Sequence, residues 1–347
     1  MSKHLYPYKW YLSNGYPQQK NGLKVFGTFI CGGGSTMGYK LAGFEHLGGV
    51  EIDPKVADVY KTNHKPKHLF VEDIRTFNNR AELPDELYNL DILDGSPPCS
   101  TFSMAGSREK AWGKEKVFRE GQAVQTLDDL VFTYCDTIIK LQPKVFILEN
   151  VKGIIQGNAK VYTKNIVKKM VAAGYTVQVF LLNAASMGVP QKRERVFFIG
   201  HRKELRYPKL RMEFKEEVIH FKEIIGELGK ENSIHDNSIW GLRQKGDLHF
   251  GQTLVRVGKK ESNWNVKYIY KTDVCNTIAS SPGSKLIEFD NPNHLSDEKL
   301  KQIGTYPLDY NFKDVEPKYL IGMSVPPVMT AQIANQIYLQ WFNKTAK

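Results

Sequence analysis

Short apolar segments alternate with amphipathic ones between residues 23 and 202, and this alternation constrains the fold more than any other feature. The apolar segments are 23–30, 47–53, 90–93, 145–148, 177–182 and 195–199. One amphipathic segment repeats its apolar residues at the i, i+3, i+4 spacing of a helix that packs on a sheet: Leu127, Leu130, Val131, Tyr134 and Ile138. Strands that alternate with helices form a parallel sheet with helices on both faces. The sequence therefore predicts an α/β fold with a doubly wound, mostly parallel sheet.

The apolar segment 90–93 leads into the segment 94–103, which contains Pro97, Pro98 and Cys99. A strand that meets two prolines can neither continue nor enter a helix at once, because proline fixes its own φ and biases the preceding residue towards extended geometry. Cys99 is therefore expected on a stiff loop at a strand end, where open α/β sheets bind ligands. These residues alone leave two interpretations open, a reactive thiol or a small buried hydrophobic side chain, and the second is the commoner use of a single cysteine.

The chain of 347 residues carries 48 Lys and Arg against 37 Asp and Glu, a formal charge of +11. This balance favours a polyanionic partner, and nucleic acid is the first candidate. The four cysteines (Cys31, Cys99, Cys135 and Cys275) have neither metal-ligand nor disulfide spacing, so we expect no metal and a reducing compartment. No apolar run approaches the roughly 18 residues of a membrane span. The sequence thus predicts a soluble, cytoplasmic protein without a membrane partner.

The alternation of apolar and amphipathic segments divides the chain into four parts. Residues 1–22 are polar and turn-rich and are expected to form an N-terminal extension, whereas 23–202 form the sheet domain. After residue 202 the alternation stops and aromatic residues are scattered among lysines and arginines, so we expect a smaller second domain over 203–318. Residues 319–347 are expected to return to the sheet domain through a helix capped by Thr330.

A glycine turn and an acid follow the first two predicted strands. Gly32, Gly33 and Gly34 allow the backbone to approach a ligand closely, and Glu51 comes about 20 residues later, where a carboxylate can accept both ribose hydroxyls. Asp73, with Ile74, is placed to contact an adenine amino group. These residues predict a nucleoside-containing cofactor, and an ordinary tight turn beside a surface glutamate is the alternative. The spacing does not favour a nicotinamide dinucleotide.

Several motifs occur in a fixed order along the chain: Phe29 with the glycine turn, Glu51, Asp73, Pro97-Pro98-Cys99, Glu149-Asn150-Val151, 191–195 and 322–327. This series closely resembles that of the DNA cytosine carbon-5 methyltransferases of bacterial or phage type. The resemblance extends from about Leu23 to Gln340 and fails only over roughly 203–270, where this family varies most. It implies that 23–202 is the catalytic and cofactor-binding domain, with a Rossmann-like methyltransferase fold, and that 203–318 is a target-recognition domain with a scaffold segment.

The resemblance also implies a reaction. Cys99 would add to carbon 6 of a cytosine flipped from duplex DNA, because carbon 5 alone is a poor nucleophile, and Glu149 would assist by donating or sharing a proton at ring nitrogen 3. By resemblance Arg195 contacts the flipped base and Arg193 supports the thiol loop. The implied substrate-binding residues are Ser103 and Asn150, of which the second would hold the neighbouring loop.

By the same resemblance the methyl donor is S-adenosylmethionine, and no metal is needed. The implied cofactor-binding residues are Phe29, Gly33, Gly34, Glu51, Ile52, Asp73, Ile74, Pro98, Leu130 and Ser324. Duplex DNA is the expected partner, and residues 107–121 are expected to close over it with phosphate contacts from Lys110, Lys114, Lys116 and Arg119. A cognate restriction endonuclease is a candidate partner, and a monomer is expected.

Three residues depart from the family pattern around the expected cofactor pocket. Gly27 stands where the family usually has Asp, Cys31 where it has the first glycine of its motif, and Met323 where it has Asn before Ser324. These departures raise three hypotheses: weakened cofactor affinity, substitution of the missing groups by water, and tolerance of a modified cofactor. Three alternative functions stay open: an RNA cytosine methyltransferase, a catalytically silent DNA-binding homologue, and a nucleotide-dependent oxidoreductase, which would explain neither Cys99 nor Arg195.

Overall fold

The computed structural model describes residues 3–16, 20–98 and 130–343, together with the backbone of 115–116 and 125–126. Its strands are β1 (Lys24–Thr28), β2 (Glu45–Glu51), β3 (His68–Val71), β4 (Ile92–Gly95), β5 (Glu115–Lys116), β6 (Gln125–Thr126), β7 (Val145–Val151), β8 (Tyr175–Asn183), β9 (Gln191–Lys192), β10 (Glu194–Arg202), β11 (Val266–Ile269), β12 (Cys275–Asn276) and β13 (Lys285–Glu288). Its α-helices are α1 (Gly34–Leu41), α2 (Pro54–His64), α3 (Ile74–Asn79), α4 (Leu130–Leu141), α5 (Lys160–Ala172), α6 (Ile234–Trp240), α7 (Phe250–Arg256), α8 (Asp297–Ile303), α9 (Pro317–Met323) and α10 (Pro327–Ile337).

Seven strands form one sheet in the order β3-β2-β1-β4-β7-β10-β8. The pairs from β3 to β7 are parallel, and β10 runs antiparallel to both of its neighbours. The predicted doubly wound, mostly parallel sheet is therefore confirmed. From β1 the chain proceeds to β2 and β3 on one side and later to β4 and β7 on the other. The carboxyl ends of β1 and β4 thus flank the switch point at which such sheets bind ligands.

The sheet packs against a large apolar core. The predicted helical stripe lies in α4, where Leu130, Val131, Tyr134 and Ile138 are all buried in that core; Leu127 lies outside the described residues. The prediction for Thr330 was wrong, because α10 already begins at Pro327 and Thr330 lies within its first turn. Proline fits the first helical position because its missing N–H needs no partner there.

The chain divides into two compact units. The sheet unit contains residues 17–183, 194–213 and 331–347, and the second unit contains residues 1–16, 184–193 and 214–330. The second unit has a small core of its own around Phe250, Val266, Tyr268 and Ile287. The domain boundaries at residues 22, 202 and 318 remain predictions about functional domains.

Residues 3–16 belong to the second unit and are bonded to it. Trp10 is buried, its indole N–H donates to the carbonyl of Thr305 at 3.0 Å, and its own carbonyl accepts from the N–H of Leu308 at 2.8 Å. The Asp309 carboxylate accepts from the backbone N–H of Leu12 at 2.6 Å and of Ser13 at 2.9 Å. This segment is therefore a structural part of the second unit.

We expect Trp10→Phe to destabilise the protein by about 1–3 kcal/mol, because the buried carbonyl of Thr305 would lose its donor. Urea unfolding monitored by circular dichroism would measure the change. The neighbouring Tyr11→Phe is a matched control, since Tyr11 is exposed and its loss should cost less than about 0.5 kcal/mol. Equal stabilities of the Trp10→Phe variant and the wild type would contradict a structural role for this segment.

Candidate active site

A strained turn joins β1 to α1. Phe29 and Cys31 have φ values of 55° and 47°, and Gly33 has a φ of 74°, all in the left-handed region. Gly33 cannot be replaced without strain, because a Cβ there would lie 2.2 Å from Nε2 of the buried His64. Cys31 adopts a conformation that favours glycine, the residue that the family usually has at this position. The turn brings the backbone of Gly33 and Gly34 to the carboxyl end of β1.

Glu51, at the end of β2, is hydrogen-bonded to this turn. Its Oε2 accepts from the N–H of Cys31 at 2.9 Å, and its Oε1 accepts from the N–H of Asp53 at 3.0 Å. Burial raises the pKa of the Glu51 carboxyl, and these backbone hydrogen bonds act in the opposite direction. Each carboxylate oxygen can accept a further hydrogen bond, so the group fits the predicted contact with ribose hydroxyls.

The other residues predicted to bind cofactor lie at neighbouring strand ends or in the core. Asp73 caps α3, accepting from the N–H of Arg75 at 2.7 Å and from its guanidinium at 3.2 Å. Ile74 and Leu130 are buried in the core of the sheet unit, whereas Phe29, Ile52 and Pro98 are half-buried. The carboxyl ends of β3, β2, β1 and β4, which are consecutive in the sheet, thus bring most of the predicted residues together.

Glu149 and Arg195 form an ion pair. Arg195 Nε lies 3.0 Å from Glu149 Oε1, and the two side chains are only 15% and 12% exposed. Their strands are antiparallel partners, with Glu149 opposite Phe197 and Arg195 opposite Val151. The two residues are therefore diagonal neighbours on one face of the sheet. The structure thus brings these two predicted catalytic residues together.

Arg193 lies in the second unit and is almost fully buried. Its guanidinium donates to the carbonyls of Ile278 at 3.1 Å and of Gly322 and Ser324 at 2.9 Å. The hydroxyl of Ser324, a predicted cofactor contact, donates to the carbonyl of Leu320 at 2.8 Å. Arg193 thereby joins two segments of the second unit, and its predicted support of the thiol loop remains a prediction.

Asn150 is 2% exposed, and its Oδ1 accepts from the N–H of Val151 at 2.9 Å. Its Nδ2 is buried without an acceptor among the described residues. Cys99, Ser103 and the side chains of the basic segment 107–121 lie outside the described residues, so the predictions for them remain predictions.

Most aromatic residues of the expected target-recognition region are structural. Trp240 donates its indole N–H to the carbonyl of Glu288 at 3.1 Å. The guanidinium carbon of Arg243 lies 3.2 Å from the centre of the Trp240 ring. Tyr268 is buried and Tyr270 stacks on Phe289. Trp264 differs because it is 54% exposed.

Asp94, which is not among the predicted site residues, lies at the end of β4. It is buried, and its Oδ1 accepts from the hydroxyl of Tyr39 at 3.0 Å. The sequence did contain a signal for it, because an acid ends an apolar strand here as it does at Glu51 and Glu149. The backbone of Asp94 lies directly beside that of Gly27 in the parallel β1–β4 pair.

Gly27 is one of the three departures from the family pattern, and the side chain of Ile30 lies close to its backbone. A Cβ on Gly27 would lie 2.7 Å from Cγ2 of Ile30, and a Cβ on its neighbour Gly49 would lie 2.3 Å from the same atom. The space that the family's aspartate would need is therefore filled by Ile30. The two other departures, Cys31 in the strained turn and Met323 at the end of α9, are both partly exposed.

We expect Gly27→Asp to destabilise the protein by about 1–3 kcal/mol, because the new side chain overpacks this position. Thermal or urea unfolding would measure the change. The double variant Gly27→Asp, Ile30→Ala should recover part of the loss, since the smaller residue removes the clash. A Gly27→Asp variant as stable as the wild type would show that Ile30 does not fill the aspartate's place.

The described residues contain no helix long and apolar enough to cross a membrane. Among the same residues there is also no cluster of three or more His, Cys, Asp or Glu side chains that could hold a metal ion.

The fold is shared with solved structures of proteins described as methyltransferases, at low sequence identity. A protein described as a DNA modification methyltransferase encoded within an E. coli prophage aligns with a TM-score of 0.68 and 18% identity, over 93% of this chain and 100% of that one. The Dnmt2 methyltransferase of S. pombe aligns with a TM-score of 0.58 and 14% identity, over 91% and 98% of the two chains.

The chain belongs to the C-5 cytosine-specific DNA methylase family, whose model matches residues 23–339. It is 33% identical to the Type II methyltransferase M.FnuDI of Fusobacterium nucleatum over 225 residues, which are 64% of this chain and 56% of that protein. It is 27% identical to M1.HphI of Haemophilus parahaemolyticus over 96% of this chain and 91% of that protein. The match spans less than two thirds of M.FnuDI and of M.NgoPII of Neisseria gonorrhoeae, 56% and 60% of their lengths.

Proposed function

We propose that this chain is an S-adenosylmethionine-dependent DNA methyltransferase that flips a cytosine from duplex DNA and converts it to 5-methylcytosine. The observation that carries this proposal is the Glu149–Arg195 ion pair at the carboxyl end of β7, in a chain whose family match runs from residue 23 to 339. An ion pair between two largely buried side chains at this edge of the sheet fits the proposed contacts with a flipped base.

In the proposed mechanism the thiolate of Cys99 forms a bond to carbon 6 of the flipped cytosine and pushes electron density towards carbon 5. Glu149 donates or shares a proton at ring nitrogen 3, which lowers the cost of that addition. Arg195 holds the Glu149 carboxyl and contacts the base. After carbon 5 has been methylated, its proton leaves to a base, and Cys99 is expelled as the ring double bond reforms.

S-adenosylmethionine supplies, when bound, an electrophilic methyl group on a positively charged sulfur. We propose that Glu51 accepts hydrogen bonds from its ribose and that Asp73 contacts its adenine. The glycine turn would allow close approach of the backbone. The other residues proposed to bind the cofactor are Phe29, Ile52, Ile74, Pro98, Leu130 and Ser324.

DNA contacts are proposed for two regions. The basic segment 107–121 supplies phosphate contacts, which position DNA without reading its sequence. In the second unit, Trp264, Lys259 and Lys260 are exposed and available for contacts with bases and backbone. The Type II names of the relatives support a cognate restriction endonuclease as partner. The protein is further proposed to be a monomer and to act on DNA in the cytoplasm.

Incubation of the protein with tritiated S-adenosylmethionine and either duplex DNA or tRNA tests the proposed function. We expect label in DNA, and digestion to nucleosides should recover it as 5-methylcytosine. Label in tRNA alone would favour an RNA methyltransferase, and no label in either would favour a silent homologue. Sequencing of methylated cytosines in DNA from an expressing host would then give the target site.

A further inference from the structure

We propose that Asp94 gives the candidate active site a preference for a positively charged methyl donor over the demethylated product, whose sulfur is neutral. This inference rests on the proposed function and deepens it by naming a residue that distinguishes the two ligands. Asp94 is thus proposed as a specificity-determining residue of the cofactor pocket.

The position of Asp94 in the sheet is the first argument. Across the sheet, Asp94 of β4 lies between Gly27 of β1 and Ile147 of β7. Glu149 follows Ile147 by two residues along β7. Because side chains alternate along a strand, Asp94 and Glu149 project from the same face of neighbouring strands. Asp94 therefore lies at the switch point, beside the residue proposed to contact the base.

The proposed methyl transfer requires the positively charged sulfur of the donor to lie near Glu149. The methyl group has to reach carbon 5 of the base that Glu149 contacts, and the sulfur that carries the methyl group has to be close to it. S-adenosylmethionine and S-adenosylhomocysteine share their ammonium, carboxylate, ribose and adenine groups. Only the charge on sulfur and the methyl group distinguish them, so an adjacent carboxylate favours the methylated form.

The departure at Gly27 is the second argument. The family usually has a carboxylate at that position, and here Ile30 fills the space. The carboxylate of Asp94 comes from the adjacent strand at the register position directly beside Gly27, on the same face. A carboxylate therefore lies beside this position, on the neighbouring strand.

Several titratable groups face Asp94. Tyr39 on α1 donates to it, Glu149 on β7 is paired with Arg195 on β10, and His46 on β2 lies beside the Tyr39 ring. On α4, Tyr134 donates its hydroxyl to the carbonyls of Leu93 and Ile147. These groups define the charges that can influence Asp94.

Burial raises the pKa of the Asp94 carboxyl to about 7; hydrogen bonds from Tyr39 and Ser35 lower it, and the Glu149 charge raises it further. A bound cation favours the ionised carboxylate, so donor binding should be strongest above pH 7 and should weaken as the pH falls through 7. If the bound cation keeps Asp94 ionised, the dissociation constant rises by up to about tenfold between pH 8 and pH 6.

Isothermal calorimetry with S-adenosylmethionine and S-adenosylhomocysteine at pH 6, 7 and 8 tests the inference. In the wild type the preference for the donor should increase with pH by up to about tenfold. Asp94→Asn should reduce that preference and make it independent of pH. Tyr39→Phe removes a hydrogen bond that lowers the Asp94 pKa, so it should shift the transition to higher pH.

Asp91→Asn is the matched control, because Asp91 is a buried aspartate just before the other end of β4, paired with Lys144 at 2.7 Å. It should leave the pH-dependent preference intact. Equal and pH-independent preferences in the wild type and in Asp94→Asn, with DNA methylation intact, would overturn this inference alone. A wild type that bound neither ligand would contradict the proposed function and this inference together.

Discussion

We expect Cys99→Ala to transfer methyl groups at no more than about one ten-thousandth of the wild-type rate, because the variant has no nucleophile to add to carbon 6. Binding of S-adenosylmethionine should remain, since Cys99 is not among the residues proposed to bind the cofactor. Single-turnover transfer of tritium to duplex DNA would measure the rate, and calorimetry would measure cofactor binding. Methyl transfer that persists in Cys99→Ala would overturn the mechanism.

The chain offers a matched control for this experiment. Cys135 is buried in α4, and burial raises the pKa of its thiol to about 12, so it carries almost no thiolate at neutral pH. Cys135→Ala should keep the rate within about twofold of the wild type. A duplex with 5-fluorocytosine at the target gives a second readout, because it has no carbon-5 proton to lose. It should trap a covalent complex with the wild type and with Cys135→Ala but not with Cys99→Ala.

The sheet could be predicted from sequence because its signals are local. Six of its seven strands overlap the short apolar runs of the sequence, and only β3 was not among those runs. A glycine turn follows β1, Glu51 is the last residue of β2, and Glu149 lies two residues before the end of β7. In a parallel sheet those ends come to one edge whatever the details of packing. The position of Glu51 beside the turn follows from that rule. Glu149 meets Arg195 for a different reason, because β10 runs antiparallel to β7 and its amino end lies beside the carboxyl end of β7.

Contacts between distant residues could not be predicted in this way. Arg193 donates to the carbonyl of Ser324, which is 131 residues away, and nothing in the local sequence distinguishes a buried arginine from one that faces DNA. Ile30 fills the space beside Gly27 only because the turn after β1 folds its side chain back over the strand. The N-terminal segment is similar, because its partners at Thr305 and Asp309 are nearly 300 residues away.

The aromatic residues of the second unit show the same limit. The helices and strands of this unit are too short to show a periodicity that separates core residues from exposed ones. Trp240 and Trp264 have similar basic surroundings in the sequence, yet Trp240 packs against Arg243 and Trp264 is half exposed. Only the fold separates the structural aromatic residue from the one available to a partner.

We expect Glu149→Gln to lower the rate of methyl transfer by about 10²- to 10⁴-fold, because glutamine keeps the shape of the side chain but cannot donate the carboxyl proton at ring nitrogen 3. Arg195→Gln should also lower the rate strongly, since it leaves the carboxylate of Glu149 without its partner in a site where both side chains are largely buried. Single-turnover rates on duplex DNA, with cofactor affinity measured in parallel, would quantify both losses.

The double variant Glu149→Gln, Arg195→Gln tests whether the two residues act as a unit. If Glu149 and Arg195 hold one base together, the combined loss should be smaller than the product of the two single losses, because each change already disrupts the other's function. The neighbouring pair Lys152–Glu194 provides the control: it joins the same part of the fold at 2.9 Å, but its side chains are 37% and 43% exposed. Exposed pairs contribute little, so Glu194→Gln should stay within about twofold of the wild type. Fully multiplicative losses at Glu149 and Arg195 would mean that the two residues serve separate steps, and the ion pair would then be a structural contact rather than the centre that activates the base.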